Sequence, residues 1–132
     1  MNGIVNTILE KTSGNYECSI RLLVACLDPV IEHLPDEGLD AVAVAKEYWL
    51  KDNSNAAELE SARVNCWQYL DESLKKDDPK DPIHCAMKAV ISVLYAKPPS
   101  EDIGEIVDWF FQMLNNVEPN DAVLESLVKS KM

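Results

Sequence analysis

The sequence predicts an all-α fold, a compact multi-helix bundle of about seven helices around a buried central helix at residues 82–96. Apolar residues recur at i, i+3/i+4 spacing along most of the chain, and no stretch of length alternates with the period of a strand. Only four glycines are present, and runs of β-branched residues are few. Helix-start and helix-stop residues fall at short intervals, so connections are short and successive helices are expected as antiparallel neighbours.

The first helix is expected from Asn2 to Thr12, with Ile4, Val5, Ile8 and Leu9 on one edge, and Ser13-Gly14-Asn15 ends it. Tyr16 to Leu34 follows, carrying Leu22, Leu23, Cys26, Leu27, Val30, Ile31 and Leu34 in helical register. Pro29 falls inside that series. It removes a hydrogen bond to residue 25, which predicts a kink or a break. Pro35-Asp36 opens a third helix through about Leu50, with Leu39, Val42, Ala43, Ala45, Trp49 and Leu50 expected mostly inward. After the polar connection Lys51–Asn55, Asn55 is placed as an N-cap with Glu58 three positions on, the spacing of a capping box. That fourth helix has Leu59, Ala62, Cys66, Tyr69, Leu70 and Leu74 as its inner stripe.

A charged loop over 75–80 leads to the central helix, where Asp81 is the N-cap and Pro82 suits the first helical position. From there to Ala96 the surface is apolar on nearly every side. Only His84, Lys88 and Ser92 interrupt it, in one narrow stripe at i, i+4, i+8. A helix apolar almost all round is buried among others, and this one is too short to span a bilayer. Lys97 and Pro98-Pro99 mark its end. Ser100 is expected to cap a sixth helix, with Glu101 and Asp102 in the first turn and Ile103, Ile106, Val107, Phe110, Phe111 and Leu114 on its inner face. Pro119 begins a last helix with Val123, Leu124, Leu127 and Val128, ending in Lys129 and Lys131.

A chain of 132 residues with 47% apolar content and three Trp is expected to form one domain, 1–132, with a real core. Its formal charge of −11 disfavours nucleic acid and anionic membrane as partners, and by steering favours a basic protein. Solubility alone is the plainer reading of the same charge. No apolar leader follows Met1, so a cytoplasmic protein is expected. The four cysteines, Cys18, Cys26, Cys66 and Cys85, sit in apolar patterns without a C-x-x-C and are expected as buried free thiols.

The residues suited to chemistry are sparse. His33 lies near a helix C-terminus, where a cation is favoured. His84 stands beside Cys85, yet adjacent helical residues point about 100° apart and do not pair with each other; a thiol from elsewhere could still meet His84, though no sequence signal says so. The carboxylate pairs Asp28 with Glu32 and Asp71 with Glu72 lack the histidine spacing of a metal site. No catalysis, cofactor or metal is therefore expected. The acidic groups suit binding instead. Glu101, Asp102, Glu105 and Asp108 share the outer face of the sixth helix beside Trp109, which falls off the apolar stripe, as an exposed anchor would or as a core residue would if that helix is buried on two sides. Asp36, Glu37 and Asp40 cluster at the start of the third helix. Carboxylates on one face repel by a few tenths of a kcal/mol per pair, roughly, which solubility can justify or a basic partner can relieve.

Arg21–Leu34, Leu39–Trp49, Asn55–Asn65 and Pro82–Val90 occur in an order that resembles the Imm5-like, all-α immunity proteins of bacterial polymorphic toxin systems. In that family a helix ending in an apolar and acidic segment precedes an Ala-rich helix with a late Trp. An Ala/Arg-containing helix and a buried small-residue helix follow. The resemblance covers about residues 20–96; the tail from Ser100 to Met132 lies outside it. It implies a protein that binds one toxin domain and blocks it, without catalysis of its own. A helical adaptor, regulatory subunit or self-associating scaffold is the alternative, followed by a small all-α enzyme using His84.

Overall fold

Eight helices and no strand occur among the residues that the computed structural model describes, namely 2–13, 15–53, 55–73, 81–97 and 102–131. They are α1 (Asn2–Thr12), α2 (Tyr16–Ala25), α3 (Asp28–Ile31), α4 (Asp36–Trp49), α5 (Ala56–Ser73), α6 (Pro82–Ile91), α7 (Ile103–Val117) and α8 (Asp121–Lys131). The extra helix comes from Pro29, whose ring would clash with the carbonyl of residue 25. The second predicted helix duly stops at Ala25 and restarts as α3 with Pro29 in its first turn. Expectations for the side chains of Ile4 and Val5, and for Gly14, Leu74, the 75–80 loop, Pro98, Pro99, Ser100 and Glu101, lie outside the described residues.

Side-chain caps set several of the starts. Asn15 Oδ1 accepts from the Cys18 N–H at 2.9 Å, and Asn55 Oδ1 from the Glu58 N–H at 3.0 Å. Asp81 Oδ1 accepts from both Ile83 and His84, at 2.9 and 3.3 Å, ahead of Pro82. Each removes a donor that a helix start otherwise leaves unpaired. For α7 the boundary differs from expectation. Asp102 occupies the N-cap position with no side-chain cap bond, and the helix begins at Ile103.

One cluster of buried apolar side chains draws on all eight helices. The most extensive packing joins α4 to α5 and α6 to α7, and α6 also meets α3, α4 and α5. Helix α6 is buried along most of its length, as its composition predicts, and α2 and α7 share the central position with it, α2 packing on α1, α4, α7 and α8 and α7 on α1, α2, α3 and α6. Phe110 and Phe111 pack edge to face at 5.1 Å in the interior.

The inward face of α4 is rotated from expectation. Gly38, Ala41, Val42, Ala45 and Trp49 are buried, whereas Leu39, Ala43 and Leu50 face solvent. Gly38 decides this, because α4 crosses α6 so closely that a Cβ there would lie 2.7 Å from Met87 Sδ, and 2.9 Å from Cδ2 of Leu34 in the turn before α4.

The central helix is also shorter than expected. It ends at Ile91, and the chain tightens into turns in which the Val93 and Leu94 N–H groups reach the carbonyls of Val90 and Ile91. The carbonyls beyond the helix are taken by side chains from three others. Trp49 Nε1 donates to Val93 O at 2.8 Å, Arg63 to Leu94 O at 3.3 Å, and Tyr16 Oη to Tyr95 O at 2.6 Å. Apolarity through Ala96 expresses burial of this segment, not helix.

Trp49→Phe leaves the Val93 carbonyl buried and unpaired, and is expected to cost about 1–3 kcal/mol in urea unfolding at unchanged m. Gly38→Ala gains about 1 kcal/mol of helix propensity but overpacks at a cost of about 1–3 kcal/mol, so a net loss is expected by the same measurement.

Candidate functional site

Helices α5, α6 and α7 leave a groove between them. Its α6 side is the run Lys88, Ile91 and Ser92, continued past the helix by Tyr95, at spacings of three and four that place them along one line. From α7 come Glu105, Ile106 and Trp109, again one face, and from α5 comes Trp67. The cavity measures about 410 Å³ and its walls are mainly apolar. Ser92 is buried in its floor with its hydroxyl donated to the Ala89 carbonyl at 2.6 Å. At one edge Arg63 lies over the Tyr95 ring, 4.4 Å from its centroid.

Two of the three tryptophans stand in this groove only partly covered, Trp67 at 41% and Trp109 at 42% exposure. Trp109 was expected outside the apolar stripe of its helix and is found there. Trp67 and Tyr95 are additions that sequence reasoning missed. The signal for Trp67 was present in the same form, since it follows Cys66 and stands out of phase with Leu59, Ala62, Cys66 and Leu70. Tyr95 falls on the same i, i+3/i+4 line as Lys88, Ile91 and Ser92, so its signal too was present in the spacing.

The acidic candidates divide between two places. Glu105 lines the aromatic groove, and Asp108, beside Trp109, accepts from Gln112 Nε2 at 2.6 Å. Asp102 is exposed at the N-cap, and Glu101 is outside the described residues. Glu37 and Asp40 line a second groove of about 430 Å³ between α4 and α5, where Glu58 joins them over a floor that includes Ala41 and Ala62. Asp36 is exposed but does not line it. Helix α5 therefore borders both grooves. Glu58, Ser61, Ala62 and Asn65 face one, and Trp67, about 200° round the helix from Asn65, faces the other.

His84 is buried and lines neither groove, although Lys88 and Ser92 of its stripe line the first. His33 is half-buried, 3.5 Å from Glu32. Among the described residues, no three His, Cys, Asp or Glu side chains converge as a metal site would need, and no helix is long and apolar enough to cross a membrane. Three of the cysteines are buried as expected, and Asn116 Nδ2 lies 3.5 Å from Cys85 Sγ. Cys18 is not. It is exposed on α2 beside Lys11, Arg21 and Lys131, because the inward face of that helix passes through Ser19, Ile20, Leu22 and Leu23.

Burial pushes the Cys26 thiol up to about 12, and burial with the nearby Glu37 carboxylate does the same to Cys66. Burial also lifts the Tyr16 phenol well above its ordinary value. Glu47 is held below the usual carboxylate range by hydrogen bonds from Asn53 and Lys51.

Comparison with protein-family models, with curated proteins and with solved structures finds no match to this chain.

Cys18 is expected to react with a thiol reagent in the native protein, while Cys26, Cys66 and Cys85 react only on unfolding, as counted by mass spectrometry. Thiols raised in the folded state favour folding while protonated, so their contribution is complete below pH 9 and is lost as pH climbs from 9 to about 12. Alkaline unfolding in that window, followed by circular dichroism, is the expected result.

Proposed function

We propose that this protein is an immunity protein, which binds a basic bacterial toxin domain in the cytoplasm and neutralises it by covering its active site or substrate groove. It carries out no reaction itself. The observation that carries this reading is the groove in which Trp67 and Trp109 stand part-exposed beside the Glu105 carboxylate. Covering the exposed part of each indole by another surface would contribute on the order of 2 kcal/mol. Large aromatic anchors of this kind dominate many protein interfaces. The formal charge of −11 adds long-range attraction for a basic partner, which acts mainly on the association rate. Charge names the sign of the partner and not its activity.

A helical adaptor or self-associating subunit using the same groove is the second reading, favoured by the largely apolar lining. Sedimentation over a hundredfold range of concentration separates the two. Self-association that Trp67→Ala and Trp109→Ala abolish would support the scaffold.

Co-expression with a basic toxin domain encoded in an adjacent reading frame is expected to restore growth and to yield a complex on gel filtration. Continued killing with no complex would sink the immunity reading. Within such a complex, Glu105→Gln, Asp108→Asn and Asp40→Asn together are expected to slow association several-fold at low salt and to flatten its salt dependence.

A further inference from the structure

We propose that the aromatic groove receives an arginine side chain of a basic protein partner, its guanidinium stacked on the exposed indoles and matched by the Glu105 carboxylate. This rests on the binding role proposed above and specifies its chemistry. Rings from three segments, Trp67, Tyr95 and Trp109, line one cavity of about 410 Å³ together with Glu105. The face of an aromatic ring attracts a cation placed over it, and indole does so most strongly. The chain already makes this contact at the edge of the groove, where Arg63 covers the Tyr95 ring at 4.4 Å while donating to the Leu94 carbonyl. Arginine suits the site better than lysine, because a planar and weakly hydrated guanidinium stacks flat and tolerates an apolar wall. The field of a chain with formal charge −11 likewise draws a positively charged partner.

Lys88, in the same lining, supplies an internal control. Its ammonium opposes a second cation and would favour an anion. Removing that charge therefore moves the affinity of a cationic occupant and of an anionic one in opposite directions.

The test titrates the full chain with acetyl-Leu-Arg-Leu-amide, and with the citrulline peptide that keeps the shape and loses the charge. The indole N–H resonances are the reporters. Those of Trp67 and Trp109 are expected to shift, while that of Trp49 stays, since its N–H is held by the Val93 carbonyl at 2.8 Å. Citrulline for arginine, or Trp109→Leu, is expected to weaken binding about threefold to tenfold. Lys88→Met is expected to tighten it. Equal affinity for the two peptides, weaker arginine binding by Lys88→Met, or no shift of either groove indole up to the solubility limit of the peptide would each overturn the proposal. The peptide comparison needs no variant, so a misfolded Trp109→Leu does not affect it. Peptide binding without any toxin complex would remove the immunity reading and leave this inference standing. A toxin complex indifferent to both Trp67→Leu and Trp109→Leu would do the reverse.

Discussion

The carbonyls of Val93, Leu94 and Tyr95 pose the constraint on which the rest of this fold depends. They follow the last turn of a helix that ends inside the bundle, where water is scarce and an unpaired acceptor costs as much as a lost hydrogen bond. Trp49, Arg63 and Tyr16 satisfy them in turn, and these side chains come from α4, α5 and α2. Three helices are thereby registered against one short segment. Trp49 and Tyr16 also meet edge to face at 6.0 Å, so the hydrogen bonds and the ring packing reinforce each other.

That segment connects the core to the surface. Past the end of α6 at Ile91, Tyr95 continues the line of Lys88, Ile91 and Ser92 along the groove between α5 and α7. Arg63 then has two partners, the Leu94 carbonyl and the Tyr95 ring, and one interaction positions the other. The groove is thus built on well-tied backbone. A site held this way loses little entropy on binding, which favours affinity for a given contact area.

Acidity and aromaticity play different parts here. In the binding role proposed above, carboxylates spread over the helices would act at a distance and speed encounter, whereas the two tryptophans would act only in contact. Glu37, Asp40 and Glu58 gather in a groove with a floor of small residues, apart from the indoles. The large apolar rings and one carboxylate, Glu105, meet in the other. The two grooves are similar in size, but among the described residues the second is lined by no large aromatic ring.

Periodicity, caps and prolines determined the all-helical class and most of the helix boundaries, because these are effects of residues within a turn or two of each other. Asp81-Pro82, Asn55 with Glu58, and the break before Pro29 were all legible in that way. So was Trp109, as an aromatic out of phase with its own stripe, and Trp67 carried the same mark unread. What the chain could not reveal alone was anything settled by a neighbour distant in sequence. Gly38 turned the inner face of α4 because α6 crosses there, exposing Leu39 and Leu50. Donors from residues 16, 49 and 63 made a non-helical end to α6 affordable, beside the groove that Tyr95 shares with Trp67 and Trp109. Apolar content reports that a segment is buried; which backbone conformation it adopts there depends on which hydrogen-bonding partners the tertiary structure delivers.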